Sequence, residues 1–316
     1  MSQAEVARHS DVVVAVLTYR GYQTTRACVR SLVSAMEWPF PVVIVDNASG
    51  TNEGRRIAEE FGAPVTFLET PSNHGVPTGY NAALQWGQER GFGYVLLLNN
   101  DTLYRPGTIN RLRAAAKGDV AVVGPLVEQP DGKLQSAGGR ISWRTGRAVS
   151  IGRDDVARWN APYEVDWVDG SCMLVSTAAV HAIGGLAPEF FMYWEEVDWC
   201  VRACRAGWRC LVEPRASIVH LGSVTVEPAA RLKFWMRNRI LFMRRHASRV
   251  ENVLSLSVFV GVTVPRHLAR SMRRRRSPLP VVRAAVAAVG WNMRDAAARR
   301  AWLVPPGLSA AIGDED

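Results

Sequence analysis

The segment Tyr94-Val-Leu-Leu-Leu-Asn-Asn-Asp101 joins a short apolar run to a polar cluster. A run of this length, bounded by polar residues, is typical of a strand buried on both faces of a sheet. Similar runs lie at residues 11–17, 42–45, 65–68 and 120–123, and stretches of ten to fifteen residues with helical spacing separate most of them. Strands that alternate with helices in this way predict an α/β fold with an open, mainly parallel sheet.

The helices between these strands are predicted from the spacing of their apolar residues, at 23–36, 52–61, 79–89 and 106–117. Pro106 is predicted to occupy the first helical position, where the missing N–H leaves no hydrogen bond unmade. A proline at that position would also preset the backbone angle that the first turn needs.

The pattern loosens after residue 124. Residues 128–167 are rich in Gly, Asp and Arg, which predicts loops and short hairpins. A strand is predicted at 168–176, and helices at 195–206 and 231–246.

Cysteine usage and hydropathy bear on where the chain resides. The five cysteines are odd in number and scattered, so they do not predict a disulfide framework, and a reducing cytoplasm is expected. The irregular spacing of Cys200, Cys204, Cys210 and His220 does not favour a zinc site. The N-terminal residues have no signal-peptide core, and no apolar run is long enough to cross a bilayer.

Positive charge is concentrated near the C-terminus. Residues 231–316 hold 17 basic and 5 acidic residues, a net charge of +12, whereas the rest of the chain has a net charge of −3. Such a basic region suggests nucleic acid, an anionic membrane surface or an acidic lipid-linked substrate. Since no nucleic-acid-binding motif accompanies the arginines at 273–276, nucleic acid is not expected as a partner.

Polar clusters follow three of the predicted strands, at Thr18-Tyr19-Arg20, Asp46-Asn47-Ala48-Ser49 and Asn99-Asn100-Asp101. Open α/β sheets bind ligands at the carboxyl ends of their strands, so the clusters predict a ligand site. A dinucleotide-dependent dehydrogenase is disfavoured, because the turn after the first strand contains a single glycine, Gly21, instead of the G-x-G-x-x-G phosphate cradle.

Six motifs occur in the order found in one enzyme family. They are VVIVDNAS at 42–49, NHGVPTGYN at 73–81, LLLNNDT at 96–102, GSCML at 170–174, FFMYWEEVDWC at 190–200 and HLGS at 220–223. From about residue 12 to 246 the chain resembles family 2 glycosyltransferases of the Rossmann-like GT-A fold, and most closely their rhamnosyltransferase-like branch. The resemblance implies a nucleotide diphosphate sugar as donor, with dTDP-L-rhamnose as the common precedent and UDP- or GDP-sugars left open.

A divalent cation, Mg²⁺ or Mn²⁺, is expected because it would neutralise the leaving diphosphate. Asp101 is the expected carboxylate ligand. In the family this position closes a D-x-D-like motif, which here begins with two asparagines, Asn99 and Asn100. The resemblance adds His220 as a second ligand; a hydrogen-bonded structural histidine is the alternative.

The expected donor-binding residues lie in the clusters after the strands and in the glycine-bearing loop that opens the third helix. They are Thr18, Tyr19, Arg20, Asp46, Asn47, Asn73, Gly75, Gly79, Asn81, Asn99, Asn100 and Asp101. The resemblance assigns Asp46 to nucleotide recognition. A helix N-terminus favours phosphate, and glycines allow close approach to the backbone.

The acidic motif Trp194-Glu-Glu-Val-Asp198 is the expected catalytic segment. Inversion needs a base that takes the acceptor hydroxyl proton, and the resemblance assigns that role to Glu196, where relatives most often have aspartate. Trp194, Glu195, Asp198 and Gly170 are expected to bind the acceptor, with the aromatic residues forming a wall against a sugar. Acidic residues that merely favour a helix N-terminus are the alternative.

These inferences predict an inverting, metal-assisted glycosyltransferase. Residues 1–230 are the expected catalytic domain, with a nucleotide half at about 10–124 and an acceptor half at about 125–230, and 231–316 a basic helical extension. The expected acceptor is a hydroxyl group of a glycan, a lipid-linked molecule or a small molecule. The extension is expected either to bind an anionic membrane surface or to pack on the protein, and a homodimer is left open. The alternative function is a degenerate member that only binds nucleotide sugars or glycans.

Overall fold

A ten-stranded sheet is the largest element of the computed structural model, which describes residues 10–35, 40–152, 156, 159–222 and 227–294. The strands are β1 Val12–Thr18, β2 Val42–Asp46, β3 Val65–Glu69, β4 Tyr94–Asn99, β5 Thr102–Tyr104, β6 Val120–Glu128, β7 Leu134–Ser136, β8 Gly139–Ser142, β9 Arg147–Ser150, β10 Tyr163–Glu164, β11 Cys172–Ser176 and β12 Arg209–His220. Strands β8 and β9 form a separate two-stranded sheet.

Eight strands of the large sheet follow the order β10-β12-β6-β11-β4-β1-β2-β3, and the other two pair at its side, β5 with β12 and β7 with β6. Strands β1, β2, β3 and β4 pair in parallel, as do β6 and β12, whereas β11 runs antiparallel between β4 and β6. A mainly parallel α/β sheet flanked by helices is therefore confirmed. Thr18 lies opposite Asp46, and Leu17 opposite Asn99, so the three polar clusters share one edge.

The helices are α1 Tyr22–Val33, α2 Glu53–Phe61, α3 Val76–Glu89, α4 Thr108–Ala115, α5 Thr177–Ile183, α6 Glu195–Arg205, α7 Pro228–His246, α8 Arg249–Val258, α9 Val264–Arg273 and α10 Leu279–Met293, with π-helical residues Phe259–Thr263 joining α8 to α9. The prediction for Pro106 is wrong. Gly107, with φ of 86°, precedes the helix, so α4 begins only at Thr108. Residue 36 of the first predicted helix lies outside the described residues.

The described residues divide into two compact units. The first comprises 10–141, 148–186 and 196–222, and the second 142–147, 187–195 and 227–294. Buried aliphatic side chains of β1, β2, β4 and β6 form the core of the first unit. Residues 295–316 of the expected C-terminal extension lie outside the described residues.

The second unit has a small core of its own. Its centre consists of Met236, Ile240, Phe259, Val281, Ala284 and Ala288. Among the described residues, none of the helices combines the length and apolar character needed to cross a bilayer.

Candidate active site

The polar clusters after β1 and β4 are joined by hydrogen bonds. Asn100 Nδ2 donates to Thr18 Oγ1 at 3.2 Å and to Thr25 Oγ1 at 2.9 Å, and it lies 3.4 Å from the carbonyl oxygen of Arg20. Arg20 has φ of 59° and its guanidinium lies over the exposed ring of Tyr19. Arg20 N also donates to Ser49 Oγ at 2.8 Å. The structure therefore brings all three predicted donor-binding clusters together.

The cluster after β2 is tied to the loop before α3. Asp46 is buried and its Oδ1 accepts a hydrogen bond from Ser49 N at 2.9 Å. Asn47 Nδ2 donates to Asn73 Oδ1 at 3.1 Å and to the carbonyl oxygen of Gly75 at 3.0 Å. These bonds fix the shape of the loop where a nucleotide was expected.

Gly79 and Asn81 both contact other parts of the protein. A Cβ on Gly79 would overlap Leu17 Cδ1, so this glycine allows α3 to pack closely on β1. The Asn81 amide exchanges two hydrogen bonds of 2.8 Å with the backbone of Leu186. A direct nucleotide contact by either residue stays a prediction.

Asp101 and His220 come together because β5 pairs antiparallel with β12, which places His220 opposite Thr102. His220 Nε2 lies 3.2 Å from Asp101 Oδ1, and Leu221 N donates to the carbonyl oxygen of Asp101. No cluster of three or more His, Cys, Asp and Glu side chains suited to a metal exists among the described residues. Carboxylate oxygen and imidazole nitrogen are both acceptable ligands for Mn²⁺ or Mg²⁺, so the pair fits a cation that takes its other ligands from a diphosphate and water.

Gln135 is a residue that the sequence did not single out. Its Nε2 lies 2.8 Å and its Oε1 3.2 Å from His220 Nδ1. An amide can donate or accept there, and a proton on Nδ1 leaves the Nε2 lone pair available to a metal. Gln135 therefore stands where it can select the His220 tautomer.

Glu196 lies against the loop that leads into β11. Atoms of its side chain lie about 3.5 Å from the position that a Cβ on Gly170 would occupy. The next residue, Ser171, accepts a hydrogen bond on its carbonyl oxygen from Asn99 N at 3.0 Å. Glu196 therefore lies beside the loop that hydrogen-bonds to the end of β4, which carries the Asn99-Asn100-Asp101 cluster.

The other acidic residues of the motif are buried. Burial raises the pKa of Glu195 to about 7. Asp198 is fully buried and binds Arg202 at 2.9 Å, and Arg202 also donates to the carbonyl oxygens of Ile183 and Gly185. Asp198 therefore holds helix α6 to the chain before it, which differs from the acceptor contact expected from the sequence.

Trp194 is also buried, and it packs against Phe242 and Trp235 within the second unit. The exposed aromatic wall predicted from the sequence is therefore not formed by this side chain. Its φ of 75°, like those of Phe191 and Tyr193, lies in the left-handed region that non-glycine residues seldom adopt. Backbone strain of this kind is concentrated immediately before the acidic motif.

Residues 13–166 match the family model described as glycosyl transferase family 2. Over these residues the chain is similar to this family. It is 27% identical over 293 residues to the N-acetylglucosaminyl-diphospho-decaprenol L-rhamnosyltransferase of Mycobacterium tuberculosis, an alignment that covers 84% of this chain and 94% of that protein. The family and this relative support glycosyl transfer as the activity.

Two solved glycosyltransferases share the fold at low sequence identity. A mannosyltransferase from Pyrobaculum calidifontis, solved with GDP-mannose and Mn²⁺, superimposes with a TM-score of 0.55 at 17% identity, over 94% of this chain and 79% of that one. GalNAc-T7, solved with UDP, GalNAc and Mn²⁺, gives a TM-score of 0.58 at 14% identity, over 72% of this chain and 47% of that one. Both confirm the GT-A architecture.

Proposed function

We propose that this protein transfers a hexosyl group, with inversion, from a nucleotide diphosphate sugar to a hydroxyl acceptor. One observation carries the proposal: the Asp101–His220 pair follows β4, and Glu196 lies against the loop that hydrogen-bonds to the same strand end. A leaving-group site and a base at one edge of the sheet are what inverting transfer requires.

Transfer forms one bond and breaks another at the anomeric carbon. The acceptor oxygen attacks the face opposite the diphosphate, and Glu196 takes its proton as the new C–O bond forms. The electron pair of the old glycosidic bond stays on the nucleotide diphosphate. Asp101 and His220 would hold a divalent cation, which offsets the negative charge of that leaving group when bound.

The donor proposed is a pyrimidine nucleotide sugar, with dTDP-L-rhamnose first among the candidates. Asp46 would accept the ring N–H of thymine or uracil, because its carboxylate is held at the carboxyl end of β2 by Ser49 N, next to Asn47, which contacts the loop 73–75. The 27% identical relative is named as an L-rhamnosyltransferase that acts on a decaprenol-linked diphosphate sugar. A polyprenyl-linked glycan is accordingly the proposed acceptor class.

A thermal-shift panel of dTDP, UDP and GDP, each with and without Mn²⁺ or Mg²⁺, tests the donor and the metal together. A ligand that binds only the folded state raises Tm, and a pyrimidine diphosphate with metal should raise it most. Asp101→Ala should abolish the metal-dependent part of the shift and the transfer, whereas the exposed Asp119→Ala should behave like wild type. A metal response that survives in Asp101→Ala would refute the metal assignment.

Product stereochemistry tests the mechanism independently of these variants. NMR of the freshly formed glycoside should show an anomeric configuration opposite to that of the donor. A retained anomer would overturn the inverting mechanism. Nucleotide binding without donor hydrolysis or transfer would instead support a degenerate binding protein.

A further inference from the structure

Large apolar side chains are exposed in unusual number after residue 248. Eleven of the fifteen that are exposed among the described residues belong to this part of the second unit. They are Val250, Val253, Leu254, Leu256, Val260, Val262, Met272, Leu279, Val282, Val286 and Met293. Together with the arginines between 249 and 294 they are called here the C-terminal surface.

The exposed apolar residues are additional to the core of their own unit. On α10, Val281, Ala284 and Ala288 face that core. Val282 and Val286, four positions apart, lie on another side of the same helix and are 43% and 68% exposed. A helix that is apolar on more than one side is normally covered by something.

The charge of this region indicates which kind of partner binds the exposed apolar side chains. Residues 249–294 contain nine arginines and one acidic residue, Glu251, and the run Arg273–Arg276 is exposed at the end of α9. A second copy would bring like charges together across a shared patch, which costs free energy. A nucleic acid would satisfy the arginines but gains nothing from exposed valines and leucines. An anionic lipid surface satisfies both groups.

We propose that helices α8, α9 and α10 bind in the interface of an anionic lipid bilayer. The arginines contact lipid phosphates, and the exposed valine, leucine and methionine side chains enter the boundary between headgroups and acyl chains. No described helix could span a bilayer, so the attachment is to one leaflet. Vesicle binding by this surface can be measured without catalysis.

Flotation of the full-length chain with phosphatidylcholine vesicles of increasing phosphatidylglycerol content tests this surface. The bound fraction should rise with anionic lipid and fall with salt. Replacing Arg273–Arg276 by glutamate should lower the partition coefficient by about 1,000-fold or more, since each of the four basic residues near an anionic surface contributes about 1 kcal/mol. A matched control carries four glutamate substitutions at exposed basic positions of the first unit, Arg30, Arg90, Lys117 and Arg205, and should lose far less.

A second set of variants tests how much the apolar side chains contribute to vesicle binding. The substitutions are made at exposed positions, where folding does not depend on the side chain. Val253→Gln with Leu254→Gln, and Val282→Gln with Val286→Gln, should each reduce flotation by about tenfold or more at constant charge. Unchanged flotation of these variants, together with loss in the glutamate variant, would indicate a general polyanion site such as one for nucleic acid. That result would overturn the bilayer proposal.

Two other results would also overturn it. In the first, the full chain does not float at low salt, but a chain without residues 295–316 does. That result would mean that residues 295–316 occupy the C-terminal surface. In the second, the wild type does not float and is a dimer by light scattering, whereas the Val253→Gln, Leu254→Gln double variant is a monomer. That result would mean that a second copy of the chain occupies the C-terminal surface. The nucleotide thermal shift, measured on the same samples, separates failure of this proposal from failure of the proposed function.

Discussion

Glu195 and Glu196 are adjacent, yet their surroundings give the two carboxylates different properties. Glu195 is 6% exposed, so its carboxylate is almost entirely removed from solvent. Glu196 is half-buried against the loop at Gly170. A base must be reached by its substrate, so accessibility favours Glu196, while burial makes Glu195 a group whose ionisation costs stability.

Glu196→Gln should lower kcat by about 10²–10⁴-fold, because the amide keeps the shape of the side chain but cannot accept a proton. Donor affinity should change little. Steady-state rates with a saturating acceptor, alongside calorimetric donor binding, measure both quantities. Glu195→Gln is the matched control and should retain a much larger share of kcat; the reverse ranking would move the base to Glu195.

Glu195 should also make the free energy of unfolding depend on pH. Its pKa is raised from 4.5 to about 7 in the folded state, so the folded chain holds the proton more tightly. The stabilisation from this tighter proton binding is fully present below the pKa that Glu195 has in the unfolded chain. It is lost as pH rises through the pKa of the folded chain, which lowers the free energy of unfolding by about 3 kcal/mol. Glu195→Gln should therefore match wild type near about pH 4 and exceed it at about pH 8. Urea unfolding at both pH values measures this, and a pH-independent difference would contradict it.

Gln135→Leu should weaken metal binding by about 10- to 100-fold, because His220 loses the neighbour that orients its ring. Mn²⁺ titration in the presence of a nucleoside diphosphate measures the affinity directly. Gln129→Leu, an exposed position on the same segment, is the control. Equal affinities in the two variants would leave Gln135 without a role at the metal.

At the scale of elements, helix α7 holds the backbone that leads into the acidic motif. Asn238 Nδ2 lies 2.7 Å from the carbonyl oxygens of Phe190 and Met192 and 2.8 Å from that of Tyr193. Arg237 donates to the carbonyl oxygens of Glu189 and Phe190. These bonds stabilise a segment whose left-handed φ angles would otherwise be unfavourable.

Asn238→Leu should destabilise the second unit by about 2–4 kcal/mol, because buried carbonyl oxygens lose their donor. It should also lower kcat, since the segment continues directly into Glu195 and Glu196. Hydrogen exchange should show lost protection at residues 189–195, and Arg244→Ala, an exposed change on the same helix, should not. Normal protection with reduced kcat would assign Asn238 a different role.

Sequence patterns predicted those elements whose apolar residues are uninterrupted. Strands β1, β2 and β4 lie within a few residues of their predicted bounds, because burial on both faces leaves a continuous aliphatic run. Helix α6 was predicted from the helical spacing of its apolar residues. Strand β12 was not predicted, since Glu213, Pro214 and Arg215 interrupt it; the structure accommodates them with a register shift and an ion pair of 2.8 Å. The pairing of β5 with β12 that joins Asp101 to His220, and the approach of Gln135, are long-range contacts that no local pattern encodes.

At the scale of the molecule, charge is separated along the chain. Residues 231–316 have a net charge of +12, and the remainder, which includes the proposed transfer site, has a net charge of −3. An acidic nucleotide sugar is therefore not drawn to the site by net charge and depends on the local contacts of the sheet edge. The basic region is instead suited to concentrate the enzyme where anionic lipids are.

This separation predicts different salt dependence for two acceptors. The rate on a polyprenyl-linked acceptor in anionic vesicles should fall steeply as ionic strength rises, because the screening length shrinks to about 8 Å at physiological salt and to about 3 Å at 1 M. The rate on a short-chain, water-soluble analogue of the same acceptor should change little, since it does not require the lipid surface. Initial rates for both acceptors across a salt series measure the difference, with the Arg273–Arg276 glutamate variant as control. That variant should have a reduced rate only with the acceptor in vesicles. If rising salt lowers the wild-type rate equally on both acceptors, salt acts on the transfer site and not on attachment to the bilayer.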